Sequence, residues 1–332
     1  MADRAPLRIG ILGAARIAPM ALIRPARQVP EATVVAVAAR DRSRAQAFAT
    51  KHGIPKVPDS YDALLADPEI DAIYNPLPNS LHCAWTIRAL QAGKHVLCEK
   101  PIASNAAEAE RMAAAARDTG RVLMEAFHWR YHPLASRIRA IIDADEIGAV
   151  RHVEAHLCIP LLRPGDIRFR RDLAGGATMD VGCYTINIVR FLAGAEPEVV
   201  RAAARLSSPG VDRYMEADFR FADGRTGRMT CSLLYAVLLR VSARVRGDRG
   251  EIAILNPLAP QIYHRLTVRT EHGKRTEHLR GDATYTYQLR AFVGAVRDGA
   301  AIPTGPDDAI ANMRVIDAVY LKAGLDPRGM RQ

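Results

Sequence analysis

The chain is poor in the features that mark several common protein classes. It has five cysteines in 332 residues, and none is spaced as a Cys-x-x-Cys pair, which argues against a zinc-ribbon or thioredoxin-type motif. Its apolar runs stay far below the ~18 residues that a membrane-spanning helix needs. Arginine is dispersed without a basic run, so the net charge of +10 indicates a solvated surface that attracts phosphate-bearing ligands, not a nucleic-acid-binding protein.

The cysteines and the first residues also bear on the compartment. The cysteine count is odd, and no signal-peptide pattern precedes the strand-like run that starts at Leu7. Together these features predict reduced thiols and a cytoplasmic protein. Hydrophobic residues make up 49% of the chain and charged residues 25%, as in ordinary globular proteins, and the length predicts about two domains.

Lysine is scarce as well, with only six among 46 basic residues. One of the six, Lys100, follows the apolar run 96–98, which is typical of a buried parallel strand, and stands between Glu99 and Pro101. Open α/β sheets bind ligands at the carboxyl ends of their strands. A lysine amine is compact and changes its pKa when buried, whereas a guanidinium stays charged. Lys100 is therefore either a functional lysine or half of a structural ion pair with Glu99.

The first 127 residues alternate apolar strand-like runs with helical segments, which predicts a doubly wound parallel sheet. Ser60 has the character of a helix N-cap, and Gly93 and Gly120 have that of helix C-caps. The predicted strands are 7–12, 33–39, 54–57, 70–74, 96–98 and 122–125.

After residue 127 the pattern changes. Strand-like segments recur between residues 199 and 270, separated by turn signals such as Asp223-Gly224, and predict a large, mostly antiparallel open sheet. The predicted segments are strands 150–159, 199–206, 214–221, 227–235, 238–246, 250–255 and 262–269, and helices 133–145, 179–192, 284–298 and 306–323. The prediction is thus an α/β protein with domains 1–127 and 128–332.

The first βα turn has the spacing of a dinucleotide-binding turn. Such a turn follows the pattern G-x-G-x-x-G, and here the three positions are Gly13, Ala15 and Ala18. Small side chains still let the backbone approach a pyrophosphate, and the following helix offers N–H groups to it. The alternative is an ordinary tight turn between a strand and a helix.

The residues after the second strand bear on the choice of cofactor. An acidic residue there would bind a ribose 2′-hydroxyl, and an arginine nearby would accept a 2′-phosphate. Arg40 follows the strand directly, which favours NADP over NAD. Asp41 keeps NAD open, because a shift of the loop by one residue would place it at the ribose.

Four blocks of sequence together resemble the glucose–fructose oxidoreductase/inositol dehydrogenase family, known as Gfo/Idh/MocA. The resemblance extends from the N-terminus to about residue 192 and continues more loosely to the end. The blocks are the first turn 10–18, the loop Asn75-Pro76-Leu77-Pro78-Asn79-Ser80-Leu81-His82, the tripeptide Glu99-Lys100-Pro101, and the glycine-rich segment 175–184.

The resemblance implies a Rossmann domain followed by a substrate-binding domain whose open sheet mediates oligomerisation. It implies that Lys100 is catalytic, that the Lys100–Pro101 peptide is cis, and that the loop 75–82 covers the nicotinamide. Alanines in the first turn and Thr178 in the glycine-rich block depart from the family pattern. The cofactor-binding residues that we expect are Gly13, Ala15, Arg16, Ile17, Arg40, Asn75, Pro76, Asn79, His82, Glu99 and Lys100.

Tyr184 stands where many family members have histidine. Tyrosine at this position resembles the branch with dimeric dihydrodiol dehydrogenase and NADP-dependent xylose dehydrogenase. A phenol has a pKa of ~10 in water, and a nearby ammonium group would lower it toward the working pH. We therefore expect Tyr184 to act as acid and base, with Lys100 as its electrostatic partner. Asp180 precedes it by four residues, so a helix would place both on one face, where Asp180 orients the substrate or Lys100.

Three further residues are candidates for substrate binding. His128 and Arg130 follow a strand end, and Arg168 matches a basic residue that precedes the glycine-rich block in the family. His128 and His132 also have the i, i+4 spacing of a metal-binding helix face, but no glutamate lies between them as in H-E-x-x-H. We expect no metal.

Three functions remain open at this point. The first is an NADP-dependent oxidoreductase that acts on a sugar, a cyclic polyol or a trans-diol, or on the corresponding ketone, and that forms a homodimer or higher homo-oligomer through the sheet of its second domain. The second is a reductase of an imine or another non-sugar carbonyl. The third is a non-catalytic NADP-binding regulator, which is disfavoured because Lys100, Asp180 and Tyr184 are all present. No nucleic-acid or membrane partner is expected.

The choice of cofactor gives a first prediction. Arg40→Ala should weaken NADP binding much more than NAD binding, because only NADP carries the 2′-phosphate. Titration calorimetry with both nucleotides measures this. An equal loss for both, or tighter binding of NAD than of NADP by the parent protein, would contradict the assignment of Arg40.

Overall fold

The computed structural model describes residues 5–163, 165–235 and 237–329. The chain forms two compact units, and neither is continuous in sequence. The first consists of the described parts of Met1–Ala103, Ala107–His128 and Tyr285–Ile310, and the second of Ser104–Ala106 with the described parts of Trp129–Thr284 and Ala311–Gln332. The predicted domains were continuous, so the return of 285–310 to the first unit was not foreseen.

The first unit contains a five-stranded parallel sheet in the order β2-β1-β3-β4-β5, which confirms the prediction of a parallel sheet but has one strand fewer than the six that were predicted. Its central strands are buried on both faces, which explains their continuous apolar sequences. Residues 54–57, predicted as a strand, contribute only an isolated bridge between Lys56 and Ala36. The strands are β1 (Leu7–Leu12), β2 (Ala32–Ala38), β3 (Ala72–Asn75), β4 (His95–Cys98) and β5 (Leu123–Glu125).

Nine α-helices occur among the described residues, and none of these is long and apolar enough to cross a membrane. The caps are as predicted: the Ser60 hydroxyl accepts from the N–H of Ala63 at 3.0 Å, and Gly93 and Gly120 have left-handed backbone. The helices are α1 (Arg24–Ala26, after a π-helical turn at Pro19–Ile23), α2 (Arg42–His52), α3 (Tyr61–Ala66), α4 (Asn79–Gln91), α5 (Ala106–Thr119), α6 (Pro133–Asp143), α7 (Cys183–Ala193), α8 (Thr284–Asp298) and α9 (Pro306–Lys322).

The second unit contains an eight-stranded sheet in the order β13-β12-β11-β10-β6-β9-β8-β7. All neighbouring strands are antiparallel except β6 and β9, which confirms the prediction of a mostly antiparallel sheet. The strands are β6 (Val150–Ile159), β7 (Glu198–Ser208), β8 (Val211–Arg220), β9 (Thr226–Leu233), β10 (Arg240–Gly247), β11 (Gly250–Leu255), β12 (Arg265–Thr270) and β13 (Gly273–Glu277).

The two faces of this sheet differ in chemistry. One face is apolar and buried, with side chains such as Val153, Met215 and Met229, and α7 packs against β6 and β9. The opposite face carries one charged residue from each of six adjacent strands, with signs that alternate across the sheet. We call this row the charge ladder: Arg201, Glu216, Arg228, Glu154, Arg244 and Glu251.

The charge ladder makes this face of the sheet polar. The association through this sheet that the sequence analysis expects therefore cannot depend on burying an exposed apolar face. Arg201 pairs with Glu216 at 3.3 Å, and Arg244 lies 3.4 Å from Glu154 and 3.3 Å from Glu251. Because these pairs are partly exposed, each contributes little to the stability of the chain itself.

A buried carboxylate, Asp212, joins distant parts of the second unit. One of its oxygens accepts from both the N–H and the hydroxyl of Thr178, each at 2.7 Å. The other oxygen accepts from Arg328 at 2.7 Å and from the Tyr320 hydroxyl at 2.9 Å. Gly176 has φ = +135°, and a Cβ there would lie only 2.2 Å from Asp212, so the glycine leaves room for the carboxylate.

This network predicts a large effect on stability. Asp212→Ala leaves the buried Arg328 guanidinium without its counter-charge and should lower the free energy of unfolding by about 3–5 kcal/mol. Urea denaturation measures it. Asp223→Ala is the control, because its pair with Arg225 is exposed and worth about 1 kcal/mol or less. A loss at Asp212 as small as at Asp223 would contradict the role of the network.

Candidate active site

The turn after β1 has the backbone that a dinucleotide-binding turn needs. Gly13 has φ = +90°, and its N–H donates to the carbonyl oxygen of Ala38 at 2.6 Å. A Cβ on Gly13 would lie 3.1 Å from Leu77, so a side chain is disfavoured by both conformation and space. The turn continues with Ala15, whose N–H donates to Gly13 at 2.8 Å, and Arg16 and Ile17 lead into the π-helical turn. The bare backbone at Gly13 suits the close approach of a pyrophosphate.

The residues after β2 separate the two cofactor interpretations. Arg40 is exposed beyond the end of the strand. Asp41 is the N-cap of α2, and its carboxylate accepts from the N–H of Ser43 at 2.9 Å and from its hydroxyl at 2.7 Å. The Ser43 side chain, followed by the Arg44 N–H, lowers the pKa of Asp41. Because the Asp41 carboxylate already caps α2, Arg40 is the better candidate to contact the cofactor.

Tyr61, which follows the helix N-cap Ser60, borders this cofactor region but was not among the expected cofactor-binding residues. A Cβ on Gly13 would lie 3.7 Å from its hydroxyl oxygen, and the backbone of Arg40 forms a hydrogen bond with that hydroxyl. Burial raises the pKa of Tyr61, so the neutral phenol is maintained. No local motif marks this residue, because its neighbours come from two other segments of the chain.

The loop 75–82 is shaped by buried polar groups. The Asn75 side chain is fully buried and donates to the carbonyl oxygen of His82 at 3.3 Å and to Thr86 at 3.1 Å. The His82 ring is also fully buried, with Nε2 2.7 Å from the Leu77 carbonyl oxygen and Nδ1 2.8 Å from that of Pro101. Asn75 and His82 therefore hold the loop in place, while Pro76 lies within it and Asn79 begins α4.

His82 joins this loop to the tripeptide 99–101. The Lys100–Pro101 peptide is cis, as expected. Glu99 is 8% exposed and accepts from the hydroxyl of Tyr74 at 2.6 Å. Lys100 is partly exposed, and its charge is among the causes that lower the pKa values of His82 and His128. The ammonium of Lys100 and the ring of His128 therefore lie within electrostatic reach of each other.

His128 stacks on an aromatic residue that the sequence analysis did not identify. The ring centroids of His128 and Tyr285 are 4.0 Å apart, and both side chains are buried. Burial, and secondarily the charge of Lys100, lower the pKa of His128 to about 3, so the imidazole is neutral at physiological pH. Burial and the nearby Glu99 raise the pKa of Tyr285. Tyr285 returns to this unit from more than 150 residues away along the chain, which is why no pattern pointed to it.

Arg130 and His132 lie in the second unit and have other contacts. The Arg130 guanidinium lies 4.8 Å from the ring centroid of Phe191. The His132 ring caps α6 by accepting from the N–H of Leu134 at 3.0 Å. Residues 128–131 form a 3₁₀ turn, so the i, i+4 histidine spacing does not fall within one α-helix. Among the described residues, no group of three or more histidine, cysteine or acidic residues could hold a metal ion.

In the second unit, the glycine-rich block brings Arg168 to Asp180. The Gly176 N–H donates to the carbonyl oxygen of Arg168 at 2.7 Å, and a Cβ on Gly175 would lie 2.6 Å from that oxygen. The Arg168 side chain then lies 2.7 Å from the Asp180 carboxylate and 3.1 Å from Asp166. The glycines therefore permit the chain to fold over itself so that the predicted arginine meets the predicted aspartate.

Tyr184 lies in the first turn of α7 and is 7% exposed. The five residues Thr178–Gly182 before this helix form a π-helical turn, not the α-helix on which the Asp180–Tyr184 spacing was interpreted. Such turns are frequent at functional sites. The sequence analysis had no signal for it, and the first residue of the turn, Thr178, is held by Asp212 from a distant segment of the chain.

The chain matches two family models. Residues 7–127 match the model of an oxidoreductase family with an NAD-binding Rossmann fold, and residues 135–253 match that of the Gfo/Idh/MocA C-terminal domain. The chain belongs to the Gfo/Idh/MocA oxidoreductase family. It is an NAD(P)-dependent oxidoreductase, and the family and enzyme class predicted from the sequence are confirmed.

Relatives of this family member include enzymes of known activity. It is 36% identical to D-xylose 1-dehydrogenase (NADP(+)) 2 of Haloferax volcanii, over 96% of this chain and 97% of that protein. It is 37% identical to trans-1,2-dihydrobenzene-1,2-diol dehydrogenase of Sus scrofa, over 68% and 67%. The structure of KijD10, a 3-ketoreductase from Actinomadura kijaniata in complex with NADP and TDP-benzene, superimposes with a TM-score of 0.89 at 31% identity over 96% and 98%.

The burial of His128 predicts a pH dependence. Below pH ~6.5 the His128 side chain is protonated in the unfolded chain but stays neutral in the folded chain. The free energy of unfolding therefore decreases as the pH falls. Each such histidine contributes a slope of about 1.4 kcal/mol per pH unit. His128→Gln should reduce the slope of unfolding free energy between pH 4 and 6 by about that amount. His272→Gln, at an exposed position, is the control, and equal slopes in both variants would refute the prediction.

Proposed function

We propose that this oxidoreductase uses NADP and transfers a hydride between the nicotinamide and a sugar, a cyclic polyol or a trans-diol, or the corresponding ketone. The observation that carries the choice of cofactor is the pair Arg40 and Asp41: the arginine is exposed beyond β2, while the aspartate is committed to α2. The substrate class is supported by relatives that act on xylose and on a trans-diol, and by a structural neighbour that is a ketoreductase with bound NADP.

The residues of the first unit suit this cofactor. The Gly13 turn offers bare backbone to the pyrophosphate, and Arg40 offers a guanidinium to the 2′-phosphate. Arg16, Ile17 and the loop 75–82 complete the set that we assign to NADP. When bound, NADP supplies the hydride acceptor or donor at its nicotinamide ring.

We assign the proton to Tyr184 and Lys100. In the oxidation direction the substrate hydroxyl loses its proton to Tyr184 as its carbon loses the hydride, and in reduction the phenol returns the proton to the oxygen. The Lys100 ammonium stabilises the negative charge on the oxygen and on the phenolate, which is where a positioned cation lowers a barrier most. Lysine suits this place because its ammonium is a compact donor.

Asp180 and Arg168 orient the substrate in this proposal. Their ion pair of 2.7 Å fixes the carboxylate, which is an acceptor for sugar or polyol hydroxyls, and leaves the arginine as a donor beside it. His128 contributes a neutral imidazole close to Lys100 and therefore adds no competing positive charge.

The function is tested by incubating the purified protein with NADP and a panel of aldoses, inositols and trans-diols, and following the appearance of NADPH. Turnover of a member of this panel supports the proposal. If the protein with NADPH reduces only imines or non-sugar ketones, the proposed substrate class is wrong. If it binds NADP but turns over no substrate, a regulatory role is favoured.

The proton assignment gives a prediction for the variants. Lys100→Ala and Tyr184→Phe should each lower kcat by about 10²–10⁴-fold with NADP binding largely retained, because general acid–base groups contribute that much. The double variant should be little worse than either single one, since residues that act as a unit are not additive. Lys100→Arg should restore little, because a guanidinium differs in shape. Near-normal turnover of Lys100→Ala would contradict the catalytic role of Lys100. The alternative, a structural ion pair with Glu99, would then be favoured.

We also propose a homodimer through the charge ladder. Because the signs alternate, a second copy related by a two-fold axis can place opposite charges against each other. Light scattering at micromolar concentration should give a dimer, and Glu154→Arg, which breaks the alternation, should shift it toward monomer. A monomeric mass for the parent protein contradicts the proposal.

A further inference from the structure

The polar face of the large sheet contains a cavity of about 450 Å³ at one end of the charge ladder. The four adjacent strands β10 to β13 form it, and Glu154 and His156 of β6 border it. Three positions that lie opposite one another on β11, β12 and β13 carry small side chains: Ala253, Thr267 and Thr276. These small residues leave room for a ligand between the longer side chains around them.

Positively charged side chains surround this space. Arg244 belongs to the charge ladder and already pairs with Glu154 at 3.4 Å and with Glu251 at 3.3 Å. Four further cations line the cavity, and within the described ranges none of them forms an ion pair or a side-chain hydrogen bond. They are Arg240, Arg265, Arg269 and Lys274. With five cations and two carboxylates, the lining has a net charge of +3.

The four unpaired cations lie in two groups. Arg269 and Lys274 are directly opposite each other on β12 and β13. Arg265 and Arg240 begin β12 and β10 at the other end of the cavity. Arg265 and Arg269 are four residues apart on the same face of β12, or about 13 Å along the strand. A ligand with several anionic groups in a row can therefore contact both groups of cations, whereas a single anionic group contacts only one.

A buried histidine also lines the cavity. The His156 side chain is only 6% exposed, and neither ring nitrogen has a hydrogen-bond partner in the part of the chain that the structure describes. Glu154 lies 3.7 Å from its Nε2 atom, which is too long for a hydrogen bond. Burial, and secondarily the charge of Arg240, lower the pKa of His156 to about 4, so the ring is neutral and carries one N–H group. A buried donor without an acceptor is costly, and a ligand oxygen would remove that cost.

We propose that this cavity binds a small polyphosphate, and that the bound anion favours the association of two copies through this face. Arginine forms paired hydrogen bonds with phosphate oxygens, and lysine contributes a compact charge. The hydroxyls of Thr267 and Thr276 lie between the two groups of cations and donate to the central phosphate oxygens.

The second part of this inference rests on the homodimer proposed above. In a two-fold interface each copy contributes the same surface, and therefore the same excess of positive charge. Like charges that face each other oppose association. A polyphosphate in each cavity offsets this charge and leaves the alternating signs of the charge ladder to pair between the copies.

Tripolyphosphate is the probe for the cavity, titrated by calorimetry into NADP-saturated protein at low ionic strength so that the cofactor site is occupied and screening is weak. It should bind at least about tenfold more tightly than inorganic phosphate, because a single phosphate contacts only one group of cations. Arg265→Gln and Arg269→Gln should each weaken tripolyphosphate binding about tenfold, since each removes one cation from a different group. His156→Phe should weaken it as well.

Arg220→Gln is the matched control, because Arg220 is an exposed arginine at the end of β8, in the other half of the same sheet. It should leave tripolyphosphate binding unchanged. Equal affinities for tripolyphosphate and inorganic phosphate, equal effects of the control and the cavity variants, or absence of binding would overturn the site. Tighter binding of citrate than of tripolyphosphate would overturn the ligand class.

The effect on association is measured separately, as the dimer dissociation constant from sedimentation. Saturating tripolyphosphate should lower this constant for the parent protein. The double variant Arg265→Gln/Arg269→Gln should have a lower constant than the parent without the anion, and should respond less to it. An unchanged or higher constant for the parent would overturn the effect on association. If the protein is monomeric with and without tripolyphosphate, the proposed homodimer fails, and the calorimetry still decides whether the cavity binds its ligand.

Discussion

The first unit depends on the immobilisation of the chain around Lys100 by buried polar groups. Glu99 accepts from Tyr74, the carbonyl oxygen of Pro101 meets His82, and the N–H of Ile102 donates to Glu125 at 2.8 Å. Since an unsatisfied buried polar group costs far more than a satisfied one gains, these pairings leave few alternative conformations. A lysine side chain is flexible, but here it starts from a backbone whose neighbours on both sides are fixed.

In the second unit a buried carboxylate likewise binds the main chain. Asp212 accepts from the backbone N–H of Thr178, as Glu125 accepts from that of Ile102. In both cases a fully or almost fully buried carboxylate binds the main chain beside a residue with a proposed chemical role. The carboxylates themselves take no part in the proposed chemistry. Their contribution is to set the position of Lys100 in one unit and of the turn that bears Asp180 in the other.

The features that were predictable from sequence are those with local causes. The buried parallel strands, the Ser60 cap and the glycines after α4 and α5 follow from runs of a few residues. The segment 99–101 was recognisable because lysine is rare in this chain. The edge strand β13 was missed because the sequence Gly273–Glu277 contains no apolar residue to bury. Propensity and alternation carry no signal for such a strand.

The features that sequence could not provide arise from contacts between distant segments. Tyr285 reaches His128 across more than 150 residues, and Arg328 reaches Asp212 across 116. From sequence alone, Asp41 could either cap α2 or bind the ribose of NAD, because both roles involve nearby residues. The hydrogen bond from the Ser43 N–H to its carboxylate shows that it caps α2. The polar character of one sheet face was hidden because alternation shows that strands have two faces but not which neighbours align across them.

The two edges of the large sheet have a consequence for solubility. An edge strand presents unpaired backbone groups to which strands of other molecules can add, and lysine or arginine side chains at an edge oppose this. The edge strand β13 carries Lys274 and Arg275, and the opposite edge, β7, carries Arg201 and Arg205. Each edge strand also carries one glutamate, Glu277 or Glu198, and keeps a net positive charge. Edges of different molecules therefore meet with the same net charge, which opposes the growth of sheets into fibrils.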